Sequence, residues 1–197
     1  SDAANVLSKL SAGHREVFEL CSDYISRNEG ELKSVKAGSP RLAPLLRGRT
    51  AASDLHRFHM LKWAEIEARS LAAEARGRQG VGERIEATQN AIDVIDSALA
   101  SYPDDASLRQ SRDVLGELLV SINVSHLVES AEKAAFKGDY SEAKSMYKDA
   151  LFYLGRDNVE SDAREEAAEK IFAEIERIRL LEKSGGRSGH YRRTSEP

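Results

Sequence analysis

Residues 124–157, VSHLVESAEKAAFKGDYSEAKSMYKDALFYLGRD, decide the fold. Ala131 precedes a Gly138-Asp139-Tyr140 turn, and Ala143, Tyr147 and Ala150 follow it at helical spacing. Small residues let a neighbouring helix approach closely, and a bulky one a turn away fills the adjoining gap. Gly138 tolerates the left-handed conformation that ends a helix, and Asp139 with Glu142 reads as a capping box that starts the next. The stretch therefore predicts two helices folded back on each other as an antiparallel hairpin.

The same patterns extend in both directions. Upstream, Ala106 to Lys137 runs as helix, with a change of phase near Ile122-Asn123-Val124-Ser125 that predicts either one bent helix or two meeting there. Before it, Glu83 to Ser101 carries Ile85, Thr88, Ala91, Ile92, Ile95, Ala98 and Leu99 on one face, ending at Pro103-Asp104-Asp105, where an Asp can cap the next helix. Ser53 to Arg76 has a stripe of Phe58, Leu61, Ala64, Ala68, Leu71 and Ala75, widened by Met60, Trp63 and Ile66. Asn5 to Arg27 has one of Leu7, Leu10, His14, Val17, Cys21 and Tyr24, widened by Val6, Phe18 and Ile25. Residues 38–50, with two prolines and two glycines, read as a loop tucking Leu45 and Leu46 onto the helices. Gly77 to Gly82 reads as a flexible connection. Downstream, a helix from Asp162 to Glu182 carries Ala163, Ala167, Ile171, Ile175, Ile178 and Leu181 on one stripe, and from residue 184 the Ser, Gly and Arg composition predicts a disordered basic tail. The expectation is one all-α domain over 1–183, with an N-terminal helical part to residue 76 and a repeat-like part from 83.

Composition agrees. Charged residues make up 31% and aromatics only 6% of the 197 residues, which suits solvated helices better than packed strands. A net charge of −4 gives the chain as a whole no electrostatic footprint for nucleic acid. No apolar run approaches bilayer-spanning length, so no membrane insertion is expected. The single Cys21 excludes an internal disulfide framework and suits a reducing, cytoplasmic setting.

Leu127, Ala131, Gly138, Tyr140, Ala143, Tyr147 and Ala150 make residues 124–157 similar to a tetratricopeptide repeat, with Gly155 where that family places Pro. An earlier half-match lies at Ala91, Ile95, Ala98 and Pro103. Residues 125–183 also resemble a MIT (microtubule-interacting and trafficking) domain, through Ala134, Tyr153 and the closing run from Ile175 to Leu181 besides the same alanines and tyrosines. The first resemblance implies antiparallel helical hairpins in a short TPR-like solenoid or elongated bundle. It also implies a scaffold or adaptor that takes a peptide or helix of another protein on a concave face, which points to Arg112, Asn123, His126 and Lys133. The alternatives are a structural homo-oligomer, a homodimer included, and a regulatory domain of a larger enzyme or trafficking protein.

No catalytic group is expected. His56 and His59 lie one turn apart but lack the further ligands that a metal needs, and His14 reads as a hydrogen-bonded core histidine. The glycines of 77–82 lack the Gly-Lys-Ser/Thr of a phosphate loop, and the carboxylates of the last helix alternate with Arg and Lys as a solvated face. No cofactor is called for. Arg192-Arg193-Thr194-Ser195-Glu196-Pro197 resembles a basophilic kinase site, with Ser195 as acceptor.

Overall fold

A computed structural model describes residues 2–155 and 162–188. The fold is all-α, with no strand among the described residues: α1 (Asp2–Ser34), α2 (Leu42–Gly77), α3 (Val81–Ser101), α4 (Ala106–Lys137), α5 (Tyr140–Leu154) and α6 (Asp162–Ser188). The chain divides into two compact units between Glu117 and Leu118, inside α4.

In the first unit, contacts between α1 and α2 run in opposite directions along the two sequences. Ser11 meets Glu67, His14 meets His59, and Asn28 meets Leu45. Arg49 and Arg41 pair with Glu29 and Glu31 near the turn, so the hairpin is antiparallel. Along α1 the buried and half-buried Ser11, His14, Phe18, Cys21, Ile25 and Asn28 repeat in a three-four alternation, and Tyr24 beside them reaches Gly48 of α2. This seam keeps His14, Phe18, Cys21 and Ile25 of the predicted stripe, while Leu10 and Tyr24 are exposed and its two buried members, Ser11 and Asn28, are polar. Hydrophobicity alone does not find those two.

The loop predicted over 38–50 is corrected: only its first residues are irregular, and α2 begins at Leu42. Pro44 falls in the first helical turn, where no N–H would find an intrahelical acceptor, so it costs no hydrogen bond. Gly48 lies inside the helix because the Tyr24 hydroxyl occupies the space that a Cβ would need. Leu46 is exposed and not tucked inward, as is Phe58, while Ala52, Met60, Ala64, Ala68, Ala72 and Ala75 are buried. These small residues allow α3 to pack closely through Ala91, Ile95 and Ala98. Asp105 caps α4, its Oδ1 accepting from the Ser107 and Leu108 N–H groups at 3.1 and 3.2 Å.

The second unit holds the opening stretch of sequence. Gly138 adopts φ 89°, its N–H donating to Ala135 O at 3.1 Å while the Asp139 N–H donates to Ala134 O at 3.0 Å, the paired reverse bonds of a Schellman ending. The predicted capping box does not form, since the Asp139 side chain makes no capping hydrogen bond. The Schellman bonds already reverse the chain, and Asp139 is left exposed. Ala131, Ala143, Tyr147, Ala150, Ile171, Ile175 and Ile178 form the core. Lys144 bonds Glu182 and Arg164 bonds Leu154 O, which sets α5 and α6 antiparallel. The last helix continues through Ser188, beyond the end predicted at Glu182. Among the described residues one helix, α4, is long and apolar enough by composition to cross a membrane, with a window of mean hydropathy 1.2. Val124, Ala131 and Ala134 of that helix belong to the core of the second unit.

Candidate functional site

The first unit carries a cleft of about 330 Å³ between α2, α3 and the beginning of α4. Ala68, Ala72, Ile95 and Leu115 form its floor, all of them core residues. Val114 stands beside them and is 62% exposed, an apolar side chain that its own fold leaves uncovered. Glu65, Arg69, Arg76, Gln110 and Ser111 make the rim. Arg69 and Arg76 are seven residues apart on α2, so they share a face about 10 Å apart along the axis. Arg69 and Lys62 both pair with Glu65 at 2.9 Å. The hydrogen bond from Lys62 holds the Glu65 carboxyl below the ordinary carboxylate range, against the opposing effect of burial, and Arg69 reinforces it. Chemically the cleft offers an apolar floor, a cationic wall and neutral polar groups opposite. It holds no nucleophile with an adjacent base.

The histidines form a second constellation across the α1–α2 seam. His14 Nδ1 lies 2.9 Å from His59 Nδ1, so one ring donates and the other accepts, which requires at least one neutral imidazole. Burial pushes His14 below the ordinary histidine range, and the charges of His59 and Lys62 push it further. His56 Nδ1 is hydrogen-bonded to the Tyr102 hydroxyl, and burial pushes His56 down as well. Phe18 packs on Trp63 with centroids 5.3 Å apart and on His56 at 5.8 Å. His56 and His59 thus turn to different partners instead of one common site. No group of three or more His, Cys, Asp or Glu able to hold a metal occurs among the described residues.

The four residues that the repeat resemblance singles out all belong to α4, on either side of the division between the units. Arg112 lies in the first unit and bonds Asp96 of α3 at 3.0 Å, outside the residues lining the cleft. Asn123, His126 and Lys133 belong to the second unit. Asn123 donates back to Leu119 O of its own helix at 2.8 Å, His126 is exposed, and Lys133 pairs with Glu129 one turn away. Ser195 lies outside the described residues.

Comparison with protein-family models, with curated proteins and with solved structures found no match.

Sequence reasoning missed the cleft because its floor reads as ordinary core. The signal was present as Ala68 and Ala72, one turn apart, with Val114 out of phase with Leu108 and Leu115. Only the placement of α4 against α2 and α3 makes those positions one surface.

Proposed function

We propose that this chain is a protein-interaction module that receives a helix or extended peptide of another protein in the α2–α3–α4 cleft. The observation that carries the reading is Val114, 62% exposed beside a floor of small and branched core residues. Ala68 and Ala72 present little side chain, so a guest backbone can approach closely, as in helix-in-groove recognition. Arg69 and Arg76 on the wall favour a guest with carboxylates flanking its apolar anchor. The short TPR-like solenoid remains part of this proposal, supported in the second unit by the fully buried Ala131, Ala143 and Ala150.

The test is photo-crosslinking from a benzophenone amino acid placed at Val114, in cells that express the protein naturally. A partner segment identified there is then synthesised and titrated against the purified chain. Micromolar binding that Ala72→Glu abolishes and Phe152→Ala leaves intact supports the cleft. Equal binding by Ala72→Glu refutes it.

A homo-oligomer is the second reading, favoured by Phe136, Phe152 and Phe172, which are 94%, 69% and 58% exposed in the second unit. Sedimentation that stays monomeric across concentration, and is unchanged when these three become Ser, rejects it.

A further inference from the structure

The tip of the α1–α2 hairpin differs in charge from the rest of the chain. Residues 33–53 contain five Lys and Arg and no Asp or Glu, in a protein whose net charge is −4. Of the flanking carboxylates, Glu31 pairs with Arg41 at 2.8 Å and Glu29 with Arg49 at 2.7 Å, while Asp54 stands one turn beyond Thr50. Arg27, Lys33, Lys36 and Arg47 are exposed and enter no ion pair among the described residues. Those cross-hairpin pairs and the Asn28 bond to Leu45 O hold the start of α2 against the end of α1, so the cations share one end of a braced hairpin.

Apolar surface lies among them. Leu46 is 47% exposed next to Arg47, and Ala37, Pro40, Ala43 and Pro44 are exposed as well. The end of the hairpin thus offers charge and a few apolar side chains at exposed positions. Residues 19–57 hold a single Phe, Tyr or Trp, Tyr24, too few to stack the successive bases of single-stranded nucleic acid. A diffuse positive field with a shallow apolar contact instead matches a bilayer that carries acidic headgroups, where each basic residue adds to binding and one inserted side chain supplements it.

We infer that the tip of the α1–α2 hairpin, through Arg27, Lys33, Lys36, Arg47 and Leu46, docks on an anionic lipid surface. This surface is separate from the cleft, so it stands or falls independently of the partner reading.

The experiment is vesicle flotation with the full chain. One set of vesicles is pure phosphatidylcholine, and in the other about a third of the lipid is phosphatidylserine. Binding is expected only to the second set, weakening as salt shortens the screening length. The variant Lys33→Gln/Lys36→Gln/Arg47→Gln is expected to lose about a hundredfold in affinity, from the typical contribution of one basic residue near such a surface. A charge-matched control, Lys137→Gln/Lys148→Gln/Lys170→Gln, should bind as the native chain does. The inference is overturned by no binding to phosphatidylserine vesicles, by equal binding to neutral ones, or by equal losses in the two triple variants. It is overturned equally if a short RNA or DNA duplex binds the tip more tightly than the vesicles do. Circular dichroism of each variant separates loss of docking from loss of fold.

Discussion

Gly48 and Tyr24 offer a test of the α1–α2 seam in which two opposing effects can be weighed. A glycine inside a helix costs about 1 kcal/mol relative to alanine, so Gly48→Ala would ordinarily stabilise α2 by that amount. Here the new Cβ would collide with the Tyr24 hydroxyl, and the next ring atom, Cζ, lies at 3.4 Å. Tyr24 is 45% exposed, so roughly half of its surface is buried against the seam. Swinging the ring fully away would forfeit on the order of 100 Å² of contact, about 2.5 kcal/mol at the usual area coefficient. A partial rotation forfeits less. Gly48→Ala should therefore range from neutral to about 1.5 kcal/mol destabilising in the native background. In a Tyr24→Phe background the colliding oxygen is gone, the ring carbon at 3.4 Å is an ordinary contact, and the same substitution should stabilise by about 1 kcal/mol. Trp63 is the only tryptophan, and it packs on Phe18 across this seam, so its fluorescence during urea titration reports the relevant unfolding. If Gly48→Ala shifts the midpoint equally in the two backgrounds, the close approach plays no part in holding the hairpin.

Other substitutions test other contacts. The Tyr147 hydroxyl is buried without a hydrogen-bond partner in a side chain 1% exposed, and burial raises its pKa first, with Glu174 and Glu132 adding to it. Tyr147→Phe should thus stabilise the second unit by about 1 kcal/mol, measured by thermal unfolding, and a loss of that size would show that the hydroxyl is satisfied in solution. Arg164, 8% exposed, donates from Nη1 to Leu154 O at 3.0 Å and ties the start of α6 to the end of α5. Arg164→Ala should cost about 1.5–3 kcal/mol, and an unchanged denaturant midpoint would reject that tie. Acid should weaken the first unit. His14 and His56 have folded pKa values pushed below the unfolded value near 6.5, so the unfolded chain binds protons first. The stability they confer as neutral rings is complete above that value and is lost as pH falls through it towards the lowered folded values. His14→Gln/His56→Gln should flatten the Trp63 unfolding midpoint between pH about 7 and about 5. A variant with the native slope would place the acid sensitivity elsewhere.

The helices were legible in the sequence wherever apolar period and stop signal agreed. Gly138 and Pro103-Asp104-Asp105 fall where chain reversals occur, because a positive φ and a capping carboxylate are local demands that particular residues announce. The start of α2 was not legible. Pro44 and Gly48 are helix breakers by composition, yet one falls in the first turn and the other faces a tyrosine, and neither circumstance is written in residues 38–50 alone. Asp139 misled for the opposite reason, a local signal overridden when backbone bonds closed the turn without it. The α2–α3–α4 cleft was least legible, since Ala68, Ala72 and Leu115 have the same pattern whether or not a neighbouring helix covers them.

The seam of the first hairpin shows why a hydrophobic stripe located α1 but missed the two polar residues buried on its face. Ser11 and Asn28 are 3% exposed and bonded to Glu67 and to Leu45 O, and His14 and His56 lie between them with their own partners. Apolar packing tolerates sliding by a heptad, whereas each of these bonds exists in one register only, and a slip would strand a buried polar group at a cost of about 1–3 kcal/mol. Several such layers distributed along α1 make the penalty for slipping accumulate. The polar seam therefore fixes how far α2 projects past the end of α1, and with it the arrangement of Lys33, Lys36, Leu46 and Arg47 at the tip. Asn28→Leu would keep the volume and remove the register signal nearest that tip. It should leave helix content unchanged by circular dichroism while loosening the approach of Glu31 to Arg41. The double substitution Glu31→Cys/Arg41→Cys, made in a Cys21→Ser background, reads this out through the rate at which the two new thiols oxidise to a disulfide. Oxidation should be rapid with Asn28 in place and slower once Asn28→Leu is added. Equal rates would mean that apolar contacts alone set the register.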